Sequence, residues 1–156
     1  MPGCSTAREG PRVRNVLRHR VRYHEADAQG FMFNSRYLEL ADVAMTEFFR
    51  ALGFPYSELL SAGADPSVIK AGIEFRRPAR FDDLLDVAVA CTRLGRSSFD
   101  LAMVVTREQE QIAEIMLTYV NVDARAAASR PVPGAVAEAL GGEVSGSSAK
   151  ALEIRQ

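Results

Sequence analysis

Between Tyr23 and Tyr37 the chain reads Tyr-His-Glu-Ala-Asp-Ala-Gln-Gly-Phe-Met-Phe-Asn-Ser-Arg-Tyr. Asp27 is a carboxylate set among Ala26, Ala28, Phe31, Met32 and Phe33, an apolar setting that can sharpen it as a base or a nucleophile. Shortly afterwards a helical pattern begins, and the first amides of a helix lack intrahelical acceptors and gather partial positive charge. A carboxylate and helix-start amides facing one small volume can carry acyl transfer. The carboxylate attacks or activates water while the amides hold the developing oxyanion. The same residues also describe an Asx turn before a helix, a commonplace structural device, so the loop alone does not decide between chemistry and architecture.

Other chemistries find little support. There is no glycine-rich phosphate loop, no His-Glu-x-x-His and no Cys-x-x-Cys, so neither a metal nor a cofactor is expected. The two cysteines, Cys4 and Cys91, make no framework and read as free thiols in a reducing cytoplasm, the expected location. His24 stands beside the Asp27 loop and reads as a hydrogen-bonding neighbour. With 19 basic against 20 acidic residues the formal charge is -1, which supplies no field to hold nucleic acid or an anionic membrane. Arg18, Arg20 and Arg22 alternate along a strand without interleaved stacking aromatics, so they read as a solvated or subunit-facing surface. The apolar runs are far shorter than the roughly 20 residues of a membrane span, and no signal peptide is expected.

The elements that must position Asp27 follow from periodicity. At 156 residues, 47% of them hydrophobic, one domain with a real core is expected. Leu17, His19, Val21 and Tyr23 share one face of an alternating run, which predicts a half-buried strand. Tyr37, Leu38, Ala41, Ala44, Met45, Phe48 and Leu52 recur at helical spacing, with Leu40 and Phe49 widening the stripe enough for a sheet to embrace it. Asn34 or Ser35 suits the N-cap, and Gly53 followed by Pro55 marks the stop. A short helix fits residues 56–62, and four more strands follow around Val68–Phe75, Leu85–Cys91, Phe99–Val105 and Ile112–Val122. Gly95-Arg96-Ser97 and the stretch from Glu108 to Gln111 are spaced as antiparallel hairpin loops. One strand, one long helix, then four strands is an α+β order. The expected organisation is a disordered leader over 1–14, a domain over 15–140 with a short helix near Val136–Leu140, and a flexible tail over 141–156.

Three separated motifs then carry a resemblance: Tyr23-x-x-x-Asp27-x-x-Gly30-x-x-x-Asn34-x-x-Tyr37-Leu38, Pro78-Ala79-Arg80-Phe81-Asp82-Asp83-Leu84-Leu85, and Leu94-Gly95-Arg96-Ser97-Ser98. In this order they resemble the hotdog-fold acyl-CoA thioesterases of the 4-hydroxybenzoyl-CoA thioesterase family, over about residues 16–133. The resemblance implies a five-stranded antiparallel sheet wrapped around one long helix. It also implies a homodimer with sites at the interface, or a tetramer of two such dimers. It places the acidic catalytic residue on Asp27, the oxyanion amide at Asn34, a helix-start tyrosine at Tyr37, and substrate contacts at Gly30 and Phe31. A basic hairpin meeting coenzyme A phosphates falls on Arg93, Arg96 and Ser97. Phe31 stands where many relatives have histidine, and Asn34 where some have histidine or tyrosine. The substrate class implied is an acyl-CoA or acyl-carrier-protein thioester, hydrolysed to acid and thiol. The rivals are a non-catalytic acyl-thioester-binding protein, against which Asp27 and Gly30 count, and a dehydratase, for which His19 and His24 are wrongly placed. Asp82 and Asp83 read as turn-forming.

Overall fold

The computed structural model describes residues 10–146. The first strand, β1 (Val13–Arg20), is followed by a single 3-10 turn (Tyr23–Glu25), the long helix α1 (Arg36–Ala51) and the short α2 (Tyr56–Ser61). Then come β2 (Pro66–Phe75), β3 (Leu84–Leu94), β4 (Ser98–Arg107), β5 (Glu110–Asp123), the two-residue β6 (Ala128–Ser129) and α3 (Gly134–Val144). The strands form one antiparallel sheet in the order β1-β3-β4-β5-β2, with β6 added on β5.

Helix α1 forms where its apolar spacing predicts and turns Tyr37, Leu40, Ala41, Ala44, Met45, Phe48 and Phe49 inward. Facing them, Leu85, Val87 and Val89 of β3, Leu101 and Met103 of β4, and Ile115, Leu117 and Tyr119 of β5 close the core. Each such fully buried large side chain contributes roughly 1.5–3 kcal/mol. Gly53 ends the helix at φ +93°, the left-handed conformation glycine adopts without a Cβ penalty. Ser35 takes the N-cap position, but neither it nor Asn34 caps through its side chain. The expected capping hydroxyl or amide is therefore replaced by backbone contacts, Arg36 N–H to Phe33 O at 2.9 Å among them.

The expected first strand differs at both ends. It starts at Val13 and stops at Arg20, and Tyr23, expected inward with Val21, lies in the 3-10 turn and is 84% exposed. Alternation in the sequence runs on past the strand end, whereas the chain is bent away where Val21 N–H reaches Asp83 O and Val21 O receives Asp82 N–H. At the other end of the chain α3 runs through Val144, because Glu143 is nearly buried and takes a two-pronged ion pair from Arg14 on β1 at 2.8 and 2.9 Å. The expected leader and tail over 1–9 and 147–156 lie outside the described residues. The β4–β5 connection is a tight turn at Glu108 and Gln109, both at positive φ, and Asp82, also at φ +70°, turns the chain as expected. β2 is an edge strand with Val68, Ile69 and Phe75 half or more exposed. Among the described residues no helix is long and apolar enough to cross a membrane.

Candidate active site

The loop joining β1 to α1 is a compact knot built around Asp27. Its Oδ1 accepts the amides of Gln29 (2.9 Å) and Phe31 (3.2 Å), and its own N–H donates to Phe31 O at 2.8 Å. Gly30 N–H closes the turn on Asp27 O at 2.9 Å, at φ +79°, a conformation that favours glycine there. Half of the carboxylate is thus consumed by the turn, as an Asx turn requires. Its second oxygen, Oδ2, accepts no hydrogen bond among the described residues. The loop is pinned to the chain ahead of β3 by Met32 N–H to Ala79 O at 2.7 Å and by the Arg80 guanidinium lying 4.8 Å over the Phe31 ring.

The start of α1 supplies the complementary charge. Phe33 N–H is held by Glu25 O at 2.8 Å and Arg36 N–H by Phe33 O, but the amides of Asn34 and Ser35 have no acceptor among the described residues. Asp27 and Asn34 line the same cavity of about 440 Å³, walled by Phe31, Met32, Tyr37 and Phe75. Tyr37 is buried and meets the Phe75 ring edge-on at 5.1 Å; burial pushes its hydroxyl above the ordinary phenol range, so it stays protonated. On the other side of Asp27 a second hollow of about 320 Å³ runs past Gly30, between Tyr23 and Phe81. The structure therefore brings Asp27, Phe31, Asn34 and Tyr37 to one cavity and sets Gly30 beside it.

Arg93, Arg96 and Ser97 are elsewhere. The cavity lies at the Phe75 end of β2, whereas Ser97 O accepts Asn121 N–H and Asn121 pairs with Pro66 at the opposite end. Ten strand residues separate the two ends, roughly 30 Å. Arg93 is also occupied, paired through both Nε (2.7 Å) and Nη2 (3.0 Å) with Asp100. Among the described residues His24 offers only its carbonyl, to Arg36 at 3.4 Å; the histidine that bonds into the loop is His19, whose Nε2 lies 2.8 Å from Glu25. The sequence reading missed Phe75, Arg76, Arg77 and Pro78 as cavity walls. They come from a segment some forty residues along the chain, and nothing local to the Asp27 motif points to them.

A sheet wrapped around α1, with a carboxylate loop at the helix start, is the hotdog arrangement of thioester hydrolases. The family model described as the Thioesterase superfamily matches residues 29–114, and the chain belongs to that superfamily. Acyl-CoA thioester hydrolase YbgC of Escherichia coli O6:H1 is 28% identical over 118 residues, which span 75% of this chain and 88% of that protein. Among solved structures, the hypothetical protein TT1821 from Thermus thermophilus superposes with a TM-score of 0.77 at 27% identity, over 83% of this chain and 99% of that one. The BH1999 gentisyl-coenzyme A thioesterase does so with a TM-score of 0.73 at 28% identity, over 81% and 99%.

Proposed function

We propose that this thioester hydrolase acts on acyl-CoA substrates through Asp27. The observation that carries the reading is that Asp27, whose Oδ2 has no partner among the described residues, and Asn34, whose amide has no acceptor among them, line one cavity. A thioester laid there has its carbonyl oxygen on the Asn34 N–H and its carbon before Asp27. Sulfur donates less resonance to a carbonyl than oxygen or nitrogen, so a carboxylate and an oxyanion hole suffice without a full triad. In one route Oδ2 adds to the carbonyl carbon and the C–S bond breaks. The thiolate takes a proton from a water, and the hydroxide so formed adds to the mixed anhydride, releasing the free acid and restoring the Asp27 carboxylate. In the other, Asp27 takes a proton from water as its oxygen adds, and passes that proton to the departing thiolate. Tyr37 and Phe31 shape the acyl wall, and the aromatic lining suits an aromatic or medium aliphatic group.

Coenzyme A is favoured as carrier by the similar acyl-CoA thioester hydrolase YbgC and gentisyl-coenzyme A thioesterase BH1999; an acyl-carrier-protein thioester is the second reading. The distance of Arg96 and Ser97 from Asp27 within one chain is relieved by a second copy. Antiparallel pairing of two β2 edges sets the Phe75 end of one protomer beside the Pro66 end of its partner. The partner's hairpin then lies on the cavity side of the seam, a few strand spacings of about 4.8 Å away. Such pairing also covers Val68 and Ile69 and removes an exposed edge. The test is a panel of aromatic, medium-chain and long-chain acyl-CoA esters, with matched acyl-carrier-protein esters, assayed for released thiol. Turnover on coenzyme A esters exceeding that on the carrier protein supports the proposal; faster turnover on the carrier protein replaces the carrier, and no thiol from any member rejects the function.

A further inference from the structure

We infer that Glu25 is a positioning residue that sets the spacing between Asp27 and the Asn34 amide, and that His19 locks it in place. The inference rests on the Asp27 reading above. Glu25 is tied in three directions. Its Oε2 accepts the Arg22 amide at 2.7 Å and lies 2.8 Å from His19 Nε2, while its backbone carbonyl accepts Phe33 N–H at 2.8 Å. Two residues after Glu25 comes the carboxylate; one residue after Phe33 comes the Asn34 amide, which has no acceptor among the described residues. The two groups that must meet one carbonyl from opposite sides are therefore both anchored on the same residue, one through the chain and one through a hydrogen bond.

The side-chain half of the joint is sheltered, with the His19 and Glu25 side chains only 17% and 12% exposed. Desolvation works to raise the Glu25 carboxyl, but the Arg22 amide and His19 outweigh it and hold it below the usual carboxylate range, so it is ionised at neutral pH. Among the described residues the Glu25 carboxylate has only these two partners, Arg22 and His19. His19 sits on the last turn-side residues of β1, opposite Leu85 of β3. The His19–Glu25 hydrogen bond thus fastens the 3-10 turn to the rigid sheet, and the turn in turn fastens the helix start. Without it the turn can shift by fractions of an ångström, which leaves substrate binding by the cavity walls intact and misaligns the reacting groups.

The experiment compares Glu25→Leu, Glu25→Gln and His19→Leu with the wild type on the best coenzyme A ester. Circular dichroism and sedimentation establish that each variant is folded and assembled. Glu25→Leu is expected to lower kcat about tenfold with KM changed less than twofold, the signature of lost alignment rather than lost affinity. Glu25→Gln, which keeps an acceptor for the Arg22 amide and a partner for His19, is expected to restore kcat to within threefold of wild type. His19→Leu is expected to fall between them, and it carries the test if Glu25→Leu does not fold. A folded Glu25→Leu with wild-type kcat, or one in which only KM moves, overturns the inference. An inactive wild type would instead strike the Asp27 reading on which it rests.

Discussion

Replacing Asp27 by asparagine separates chemistry from architecture unusually cleanly, because the two carboxylate oxygens have different duties. Oδ1 accepts the Gln29 and Phe31 amides and so builds the turn; an asparagine carbonyl accepts both in the same geometry. Oδ2 has no partner among the described residues, so its replacement by an amide nitrogen breaks no contact. The expected cost in stability is within about 0.5 kcal/mol, the range of substitutions that disturb no packing or network. The loss in reactivity is far larger, since an amide neither attacks a thioester nor accepts a proton at neutral pH. A fall in kcat of at least about a hundredfold is expected, on the order of 2.7 kcal/mol of transition-state stabilisation. KM should change less than about threefold. The assay is thiol release under saturating acyl-CoA, beside thermal melts and sedimentation of the same preparations. A folded, assembled Asp27→Asn that retains near wild-type kcat would refute the assignment. A variant that melts far below wild type would refute the division of labour between the two oxygens.

Arg96→Ala should raise KM for coenzyme A esters with little change in kcat, an effect that shrinks with added salt, since a phosphate contact far from the carbonyl acts alike on ground and transition states. Arg93→Ala should raise KM less, because its guanidinium is held by Asp100; steady-state kinetics at two ionic strengths check both. The double variant Val68→Lys/Ile69→Lys places charge on exposed β2 positions and should yield a monomer with turnover reduced at least tenfold, read by sedimentation and thiol release. The carboxyls of Asp100, chiefly through its Arg93 hydrogen bond, and of Glu25 are held below their ordinary values. A depressed carboxyl binds fewer protons folded than unfolded, so its stabilisation is complete above about pH 5 and is lost as pH falls through the usual carboxylate range of about 4 and below. Melting temperatures from pH 7 to pH 3 should show that loss, and Arg93→Ala should flatten it.

What the sequence made legible was local. The α1 stripe, the Gly53 stop and the Gly95 hairpin each declare themselves within a short contiguous stretch, and the Asp27 turn and helix start are contiguous in the chain. The errors came where a distant segment decides the outcome. Tyr23 continues the alternation of β1 but is turned outward, because the strand is ended by the turn at Asp82 and Asp83. Val13 and Arg14 belong to β1, and Gly141–Val144 to α3, because Arg14 and Glu143 pair across 129 positions. The commitment of Arg93 was readable in principle: Asp100 stands seven residues on, directly across the Gly95 hairpin in antiparallel register. The role of His19 rather than His24 depends on a 3-10 turn that no periodicity announces.

The central claim is that the thioester carbonyl is held between the Asp27 carboxylate and the amides at the start of α1. A crystal structure of Asp27→Asn with an unhydrolysed acyl-CoA tests it most directly. The account predicts the thioester oxygen within about 3.1 Å of the Asn34 amide nitrogen, with the carbonyl carbon facing the residue 27 side chain and the acyl group against Phe31, Tyr37 and Phe75. A thioester bound with its carbonyl away from both residue 27 and the start of α1 would contradict it.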